Sequence, residues 1–199
     1  VRLRAGAGET AIRGLRWAGE EHLVLVSRVT GSPLDVMTAK RDWMLAYALA
    51  VDTGKVTPLL RDVGGAMNVV LDYPVTRSVG GDLSAFAEGI SFDDQGKGRR
   101  SLYRVNVRTG VSRLVQPGTS NTRDWVIGPD GEAIGEEVYD GRSGRWTLRI
   151  KGPDGWRDVE NATALQDRPF VLGPGRNGDS VVYAAPNGGG WTRREARAD

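Results

Sequence analysis

The side chains that could carry out nucleophilic catalysis are few and widely separated in this chain. Such catalysis needs a nucleophile, a base and a group that orients the base. The 199 residues include one histidine, His22, at the start of a predicted strand, where a histidine is more often structural than catalytic. The Gly-x-Ser-x-Gly pattern of a nucleophile elbow is absent, and its nearest approach, Gly141-Arg142-Ser143-Gly144, is better interpreted as a turn. We therefore predict no catalytic residue in this chain.

Metal ligands are equally sparse. A single histidine and no cysteine exclude the usual zinc sets of histidine and cysteine. Asp93-Asp94-Gln95-Gly96 is acidic and contains a glycine, but it lacks the ligand spacing and the closing glutamate of a calcium loop. We interpret that segment as a solvated connection, and we expect neither a metal nor a cofactor.

Two adjacent acids, Glu136 and Glu137, could in principle bind the amino group of a substrate. They fall in a predicted strand, and neighbouring residues of a strand point to opposite faces of the sheet. The two carboxylates are therefore not expected to act on one ligand.

Residues 122–159 indicate which elements must position any site. Four segments in this stretch have the length of strands: Thr122–Ile127, Ala133–Tyr139, Arg145–Lys151 and Trp156–Val159. The third alternates apolar and polar residues with the period of a strand, and glycine-rich turns separate all four. Four strands joined by hairpin turns predict one antiparallel sheet, which needs further copies beside it to cover its faces. This is the pattern of a propeller blade.

An internal repeat supports this interpretation. Tyr47–Gly54 (YALAVDTG) and Tyr103–Gly110 (YRVNVRTG) share Tyr, Val, Thr and Gly at a spacing of 56 residues. The corresponding turn of the third copy ends at Gly155, 45 residues further on, and the turns at Gly131 and Gly178 are 47 apart. Units of four strands at spacings in the 40s and 50s are typical of β-propellers.

The sequence therefore predicts an all-β fold, a partial β-propeller of four-stranded antiparallel blades. Blades are predicted at residues 11–60, 66–116 and 122–159, with an incomplete blade at 168–199 and the end of a preceding blade at residues 1–5. Such a slice leaves sheet edges open, so we also expect edge-to-edge self-association.

Three segments need a specific assignment. Trp43–Val51 is apolar throughout and could be helical by composition, but the repeat predicts a strand. Met67–Tyr73 is predicted as the innermost strand of the second blade. The last blade is predicted to begin with a strand at Arg168–Leu172.

Polar residues in the predicted first strands are the candidates for a substrate channel, because the innermost strands of a propeller surround its central channel. They are Arg16, Asp72, Asp124 and Arg168. Each lies next to, or close to, a large ring that we expect to fill the wedge between neighbouring sheets: Trp17, Tyr73, Trp125 and Phe170.

Composition narrows the function classes. The 27 basic residues are scattered among 25 acidic ones for a net charge of +2, so no nucleic-acid partner is expected. No apolar run approaches the roughly 20 residues of a membrane-spanning helix, so no membrane span is expected. No secretion signal is visible after Val1, and the compartment stays open between cytoplasm and periplasm.

Three segments, AIRGLRWAGEEHLVLV, SLYRVNVRTGVSRLV and TRDWVIGPDG…YDGRSGRWTLRI, together resemble the propeller of the prolyl oligopeptidase family of serine peptidases. In that family an N-terminal propeller caps a C-terminal α/β-hydrolase domain and restricts entry to short or flexible peptides. The resemblance implies a gating role, with a peptide substrate reached through a catalytic domain that this chain does not contain. None of the family's catalytic motif occurs here, so no catalytic residue carries over.

A second function class stays open from the sequence. A non-enzymatic propeller, such as a TolB-like periplasmic scaffold that binds a protein partner, would use the same Asp-Gly and Thr-Gly hairpin turns. A downstream hydrolase sequence with Gly-x-Ser-x-Gly would favour the peptidase, whereas one or two further blades alone would favour the scaffold.

Overall fold

The computed structural model describes residues 11–31, 40–61 and 63–198, and all regular structure within these ranges is β-strand. The predicted strand at Val1–Ala5 lies outside the described residues. The strands are, in chain order, β1 Ala11–Ala18, β2 His22–Gly31, β3 Arg41–Ala50, β4 Val56–Pro58, β5 Val75–Val79, β6 Asp82–Phe92, β7 Gly98–Asn106, β8 Ser112–Pro117, β9 Thr122–Ile127, β10 Ala133–Asp140, β11 Arg145–Gly152, β12 Gly155–Thr163, β13 Phe170–Pro174, β14 Val181–Asn187 and β15 Gly190–Ala196.

These strands form four antiparallel sheets in which consecutive strands are neighbours. We call them blade 1 (β1–β4), blade 2 (β5–β8), blade 3 (β9–β12) and blade 4 (β13–β15). Three blades have four strands, and blade 4 has three in the described part of the chain. The prediction of an all-β fold built from propeller blades is confirmed. The chain divides into two compact units, Val1–Val115 and Gln116–Asp199.

In the first unit, small side chains let blades 1 and 2 pack closely. Ala46 and Ala48 of β3 and Ala85 and Ala87 of β6 are all at most 2% exposed and belong to one core cluster. Trp43–Val51, ambiguous by composition, lies almost entirely in β3, which pairs along its whole length with β2. The strand prediction for that segment is therefore confirmed.

The repeated Thr-Gly turns between third and fourth strands have the same conformation in both blades of this unit. Gly54 and Gly110 have φ of 70° and 78°, in the left-handed region that favours glycine. Each donates its backbone N–H to the carbonyl four residues earlier, at 2.9 and 2.8 Å. The shared turn explains why this pair of residues carries the repeat in the sequence.

The prediction of a first strand at Met67–Tyr73 is wrong, because β5 of blade 2 runs from Val75 to Val79. Two successive backbone donors are unavailable for pairing just before β5: Asp72 Oδ1 accepts the Tyr73 N–H at 2.6 Å, and Pro74 has none. The earlier residues run irregularly beside β6, where the Leu71 N–H donates to the Glu88 carbonyl at 2.8 Å. The Gly80-Gly81 turn between β5 and β6 is the signal that would have located the strand correctly.

In the second unit, the four strands of blade 3 lie where the sequence predicts them, except that β12 continues to Thr163, four residues beyond the predicted end at Val159. Trp146, Leu148 and Ile150 of β11 share one face and are at most 1% exposed. That face packs against blade 4, where the Tyr183 ring lies 5.6 Å from the Trp146 ring between centroids. Blade 4 begins at Phe170, two residues later than the predicted Arg168.

Candidate functional site

Arg16 lies in β1, as predicted, with its side chain exposed. Its guanidinium carbon is 4.8 Å from the centroid of the Tyr73 ring, a cation–π distance. The Tyr73 hydroxyl in turn donates to the Arg13 carbonyl at 2.6 Å. Arg16 therefore rests on a ring from the segment leading into blade 2 while its charge stays accessible to solvent.

Asp72 and Asp124 share a local motif in which an aspartate precedes a large ring. Asp124 Oδ1 accepts the Trp125 N–H at 2.7 Å, matching the 2.6 Å bond between Asp72 and Tyr73. Asp124 lies in the first strand β9 and is half-buried, whereas Asp72 is exposed and precedes β5. One oxygen of each carboxylate is therefore engaged with the backbone, and only Asp124 occupies the predicted strand position.

The structure brings Asp124 and Arg168 to the same carboxylate, Glu137 of β10. Glu137 pairs directly across the sheet with Asp124, and Arg168 Nε lies 3.9 Å from Glu137 Oε1. The Val171 N–H of blade 4 donates to Glu137 Oε2 at 3.0 Å. We call these four residues the Glu137 cluster. Arg168 also lies over the Tyr139 ring, with its guanidinium carbon 4.6 Å from the centroid.

Burial dominates the electrostatics of the Glu137 cluster. Glu137 is 3% exposed, and this burial raises the pKa of its carboxyl, while the Val171 N–H and the Arg168 charge act in the opposite direction. The Asp124 carboxylate adds to the rise. Glu137 thus joins β10 to β13 across two blades, and Arg168 is the member that solvent and ligands can reach.

Glu136, the neighbour of Glu137, makes its contacts inside blade 3. Its Oε1 accepts the Thr122 hydroxyl at 2.8 Å, and its Oε2 accepts Arg149 Nη1 at 2.8 Å. The expectation that the two acids serve opposite faces is confirmed. Both are satisfied by protein groups, as buried carboxylates must be.

A second acid–arginine pair occupies a similar place in blade 2. Glu88 of β6 is 7% exposed and accepts a hydrogen bond from Arg100 of β7. In both blades the acid lies in the second strand and the arginine, 12 or 13 residues later, in the third. Sequence reasoning missed these pairs, and this spacing across a hairpin is the signal that would have found them.

The other residues considered for chemistry have structural surroundings. His22 is buried at the start of β2, and the Ser143 hydroxyl donates to Asp140 Oδ2 at 2.8 Å within its turn. No three or more histidine, aspartate or glutamate side chains among the described residues are grouped closely enough to hold a metal ion. The described residues also contain no helix long and apolar enough to cross a membrane.

The rings expected to fill wedges between sheets divide into two groups. Trp125 is 4% exposed and Tyr73 is half-buried, as expected. Trp17 is 62% exposed and Phe170 is 41% exposed, so the expectation is wrong for these two. Trp17 pairs with Leu23, on the face of blade 1 opposite to Val24 and the shared core. None of the sheets that the structure describes in the same unit covers that face.

One cavity in the second unit, of about 470 Å³, is rich in charge. Three cationic side chains border this cavity, and each lies close to a carboxylate. Lys151 Nζ is 3.2 Å from Glu132, Arg157 Nη2 is 2.5 Å from Asp154, and Arg197 Nη1 is 3.8 Å from Asp179. These pairs leave no excess charge to attract an ion.

Comparison with known proteins adds no family to this description. No protein-family model matches the chain, and no curated protein sequence matches it. What is established for this chain is therefore its fold, which consists of β-propeller blades.

Proposed function

We propose that this chain is a non-catalytic propeller segment of a prolyl oligopeptidase-like serine peptidase, where it controls the access of peptides to an α/β-hydrolase domain. The repeated four-stranded blade carries the proposal, because a ring of such blades leaves a narrow channel that admits short peptides and excludes folded proteins. The three sequence segments that resemble the family's propeller lie in blades 1, 2 and 3 and support it further.

The first strands supply the charges of the proposed channel. Arg16 and Asp124 lie in first strands, whereas Arg168 lies two positions before β13 and Asp72 three positions before β5. Arg16 is the most suitable to test, since its charge is exposed and its described contact is the Tyr73 ring. Arg168 and Asp124 also belong to the buried Glu137 cluster, so changing them would alter stability as well.

The test is the variant Arg16→Glu in the intact peptidase. Charges along an approach path act on encounter and selectivity, and salt screens them over about 8–10 Å. We expect kcat/KM for acidic peptides to fall, and that for basic peptides to rise, by roughly three- to five-fold at low salt. Both changes should shrink in high salt, and a small neutral ester should react at the unchanged rate.

Arg113→Glu is the matched control, because Arg113 is also exposed but lies in the outermost strand of blade 2. It makes the same change in net charge away from the proposed channel. Equal shifts in selectivity for both variants, or no shift for Arg16→Glu, would count against a channel lined by first strands.

A non-enzymatic, TolB-like scaffold is the second candidate, and one observation favours it. Leu15, Trp17 and Val56 form an exposed apolar face on blade 1, with exposures of 52%, 62% and 56%. Exposed apolar patches of this kind often mark protein interfaces. The scaffold predicts that Trp17→Ser abolishes capture of a protein partner, whereas the peptidase predicts covalent labelling of a serine elsewhere in the polypeptide.

A further inference from the structure

Two arginine side chains lie over one buried tyrosine ring in the second unit. The guanidinium carbon of Arg168 is 4.6 Å from the centroid of the Tyr139 ring, and that of Arg123 is 5.9 Å from the same centroid. Tyr139 is 8% exposed, and its hydroxyl donates to the Ala164 carbonyl at 3.1 Å. The ring is therefore a fixed support that holds two cations, each at a cation–π distance.

An irregularity in the pairing of β9 with β10 brings Arg123 to this ring. Thr122 and Asp124 lie opposite the consecutive residues Val138 and Glu137, so Arg123 is the extra residue, as in a β-bulge. In a regular strand its side chain would point to the face opposite to that of Asp124. Bulges re-aim side chains in this way and are frequent beside functional sites.

The positive charge of the two arginines is only weakly compensated by the protein. The described hydrogen bonds of Arg123 go to the backbone carbonyls of Ser120 at 3.5 Å and Tyr139 at 3.0 Å, which carry no net charge. Arg168 Nε lies 3.9 Å from Glu137 Oε1, which is long for an ion pair, and burial raises the pKa of the Glu137 carboxyl. An anion between the two guanidinium groups would offset their mutual repulsion.

We propose that Arg123 and Arg168 bind the carboxylate of a ligand beside the Tyr139 ring. A guanidinium is a planar fork whose N–H groups match the two oxygens of a carboxylate. A singly charged anion suits this place better than a phosphate dianion, because Asp124 and Glu137 are close by and would repel a second negative charge. This inference does not depend on the proposed function.

The test is a titration of the full chain with two ligands that differ only in the carboxylate. N-acetyl-dialanine with a free terminal carboxylate is the probe, and the same molecule with a terminal amide is the control. At constant ionic strength, the side-chain Nε–Hε signals of Arg123 and Arg168 report binding by nuclear magnetic resonance. We expect the acid to shift both signals with one dissociation constant, on the order of millimolar, and the amide to shift neither.

Variants of the protein separate this site from a general attraction of anions. Arg123→Gln should weaken binding of the acid by roughly ten-fold, because it removes a charge-assisted hydrogen bond. Arg123→Lys retains the charge but not the fork, so we expect a loss of roughly three-fold. Arg176→Gln, at an exposed position between β13 and β14, makes the same change in net charge and should leave the dissociation constant unchanged. The backbone amide signals of β11 show whether each variant retains the fold.

Four outcomes would overturn the proposal. The first is that neither arginine signal shifts at the highest concentration of the acid. The second is an equal shift with the amide, which would mean that the carboxylate is not recognised. The third is a loss of affinity in Arg176→Gln as large as in Arg123→Gln, which would assign the effect to net charge. The fourth is tighter binding of inorganic phosphate than of the acid at the same two signals.

Discussion

β11 and β15 contain the same short motif, Trp-Thr-x-Arg, but its tryptophan has different surroundings in the two strands. Trp146 of β11 is 1% exposed, whereas Trp191 of β15, at the same place in the motif, is 51% exposed. Trp146 lies between blade 3 and blade 4, where Tyr183 covers it. Trp191 lies on the face of blade 4 turned away from blade 3, where its described ring contact is Phe170. Whether the tryptophan is buried therefore depends on the neighbouring sheet and not on the sequence of its own strand.

A propeller blade therefore has no hydrophobic core of its own. Its apolar faces become stabilising only when another blade excludes water from them, at about 25 cal/mol per Å² of apolar surface. The exposed rings of Trp17 and Trp191 are accordingly the same size as the buried ring of Trp146. What differs between them is whether one of the described sheets of the same unit covers the ring.

The largest expected effect tests this difference directly. Trp146→Ala should lower the free energy of unfolding by roughly 3–5 kcal/mol, because it leaves a cavity between two packed blades. Trp191→Ala should lower it by less than about 1 kcal/mol, since half of that ring already faces water. Urea unfolding followed by circular dichroism measures both. Similar losses for the two variants would show that Trp191 is covered in solution.

A smaller effect is expected at Glu137, where burial opposes ionisation. Because the pKa of the folded-state carboxyl is raised, the native state binds more protons than the unfolded state in the pH range just above the ordinary carboxyl pKa. The stability of the native protein relative to Glu137→Gln should therefore fall as pH rises through that range. The change amounts to about 1.4 kcal/mol for each unit by which the pKa is raised.

The measurement for Glu137 is the difference in unfolding free energy between native protein and variant from pH 4 to pH 8. Glutamine retains an oxygen that can accept the Val171 N–H, so the comparison isolates the charge. Glu132→Gln removes one carboxylate whose side chain is 60% exposed and is the control for the loss of a single negative charge at the surface. A native protein that gains stability over Glu137→Gln as pH rises would mean that Arg168 outweighs burial.

The parts of the fold that were predictable from the sequence are those fixed by local signals. β9 begins and ends where its apolar centre and the turn that follows it place it, and the repeated Thr-Gly turns locate the ends of β3 and β7. Such signals depend on backbone conformation within a few residues. The first strand of blade 2 was misplaced because Asp72 and Pro74 interrupt pairing in an otherwise strand-like segment.

The contacts of the candidate site depended instead on how blades pack. Val171 meets Glu137 from 34 positions away in the chain, on a different sheet. Neither residue is unusual in its own segment, so no local pattern links them. The exposure of Trp17 could not be predicted for the same reason, since its alternation matches that of buried rings.

The proposal that this propeller serves a serine peptidase is tested by covalent labelling of the native protein. An antibody raised against residues 11–198 captures the polypeptide from the cells that make it. A fluorophosphonate, which reacts with activated serines, is then applied, and the modified peptide is located by mass. If the propeller serves a serine peptidase, one serine outside these 199 residues should be labelled. Quantitative capture with no labelling, or labelling of a serine within these residues, would contradict it.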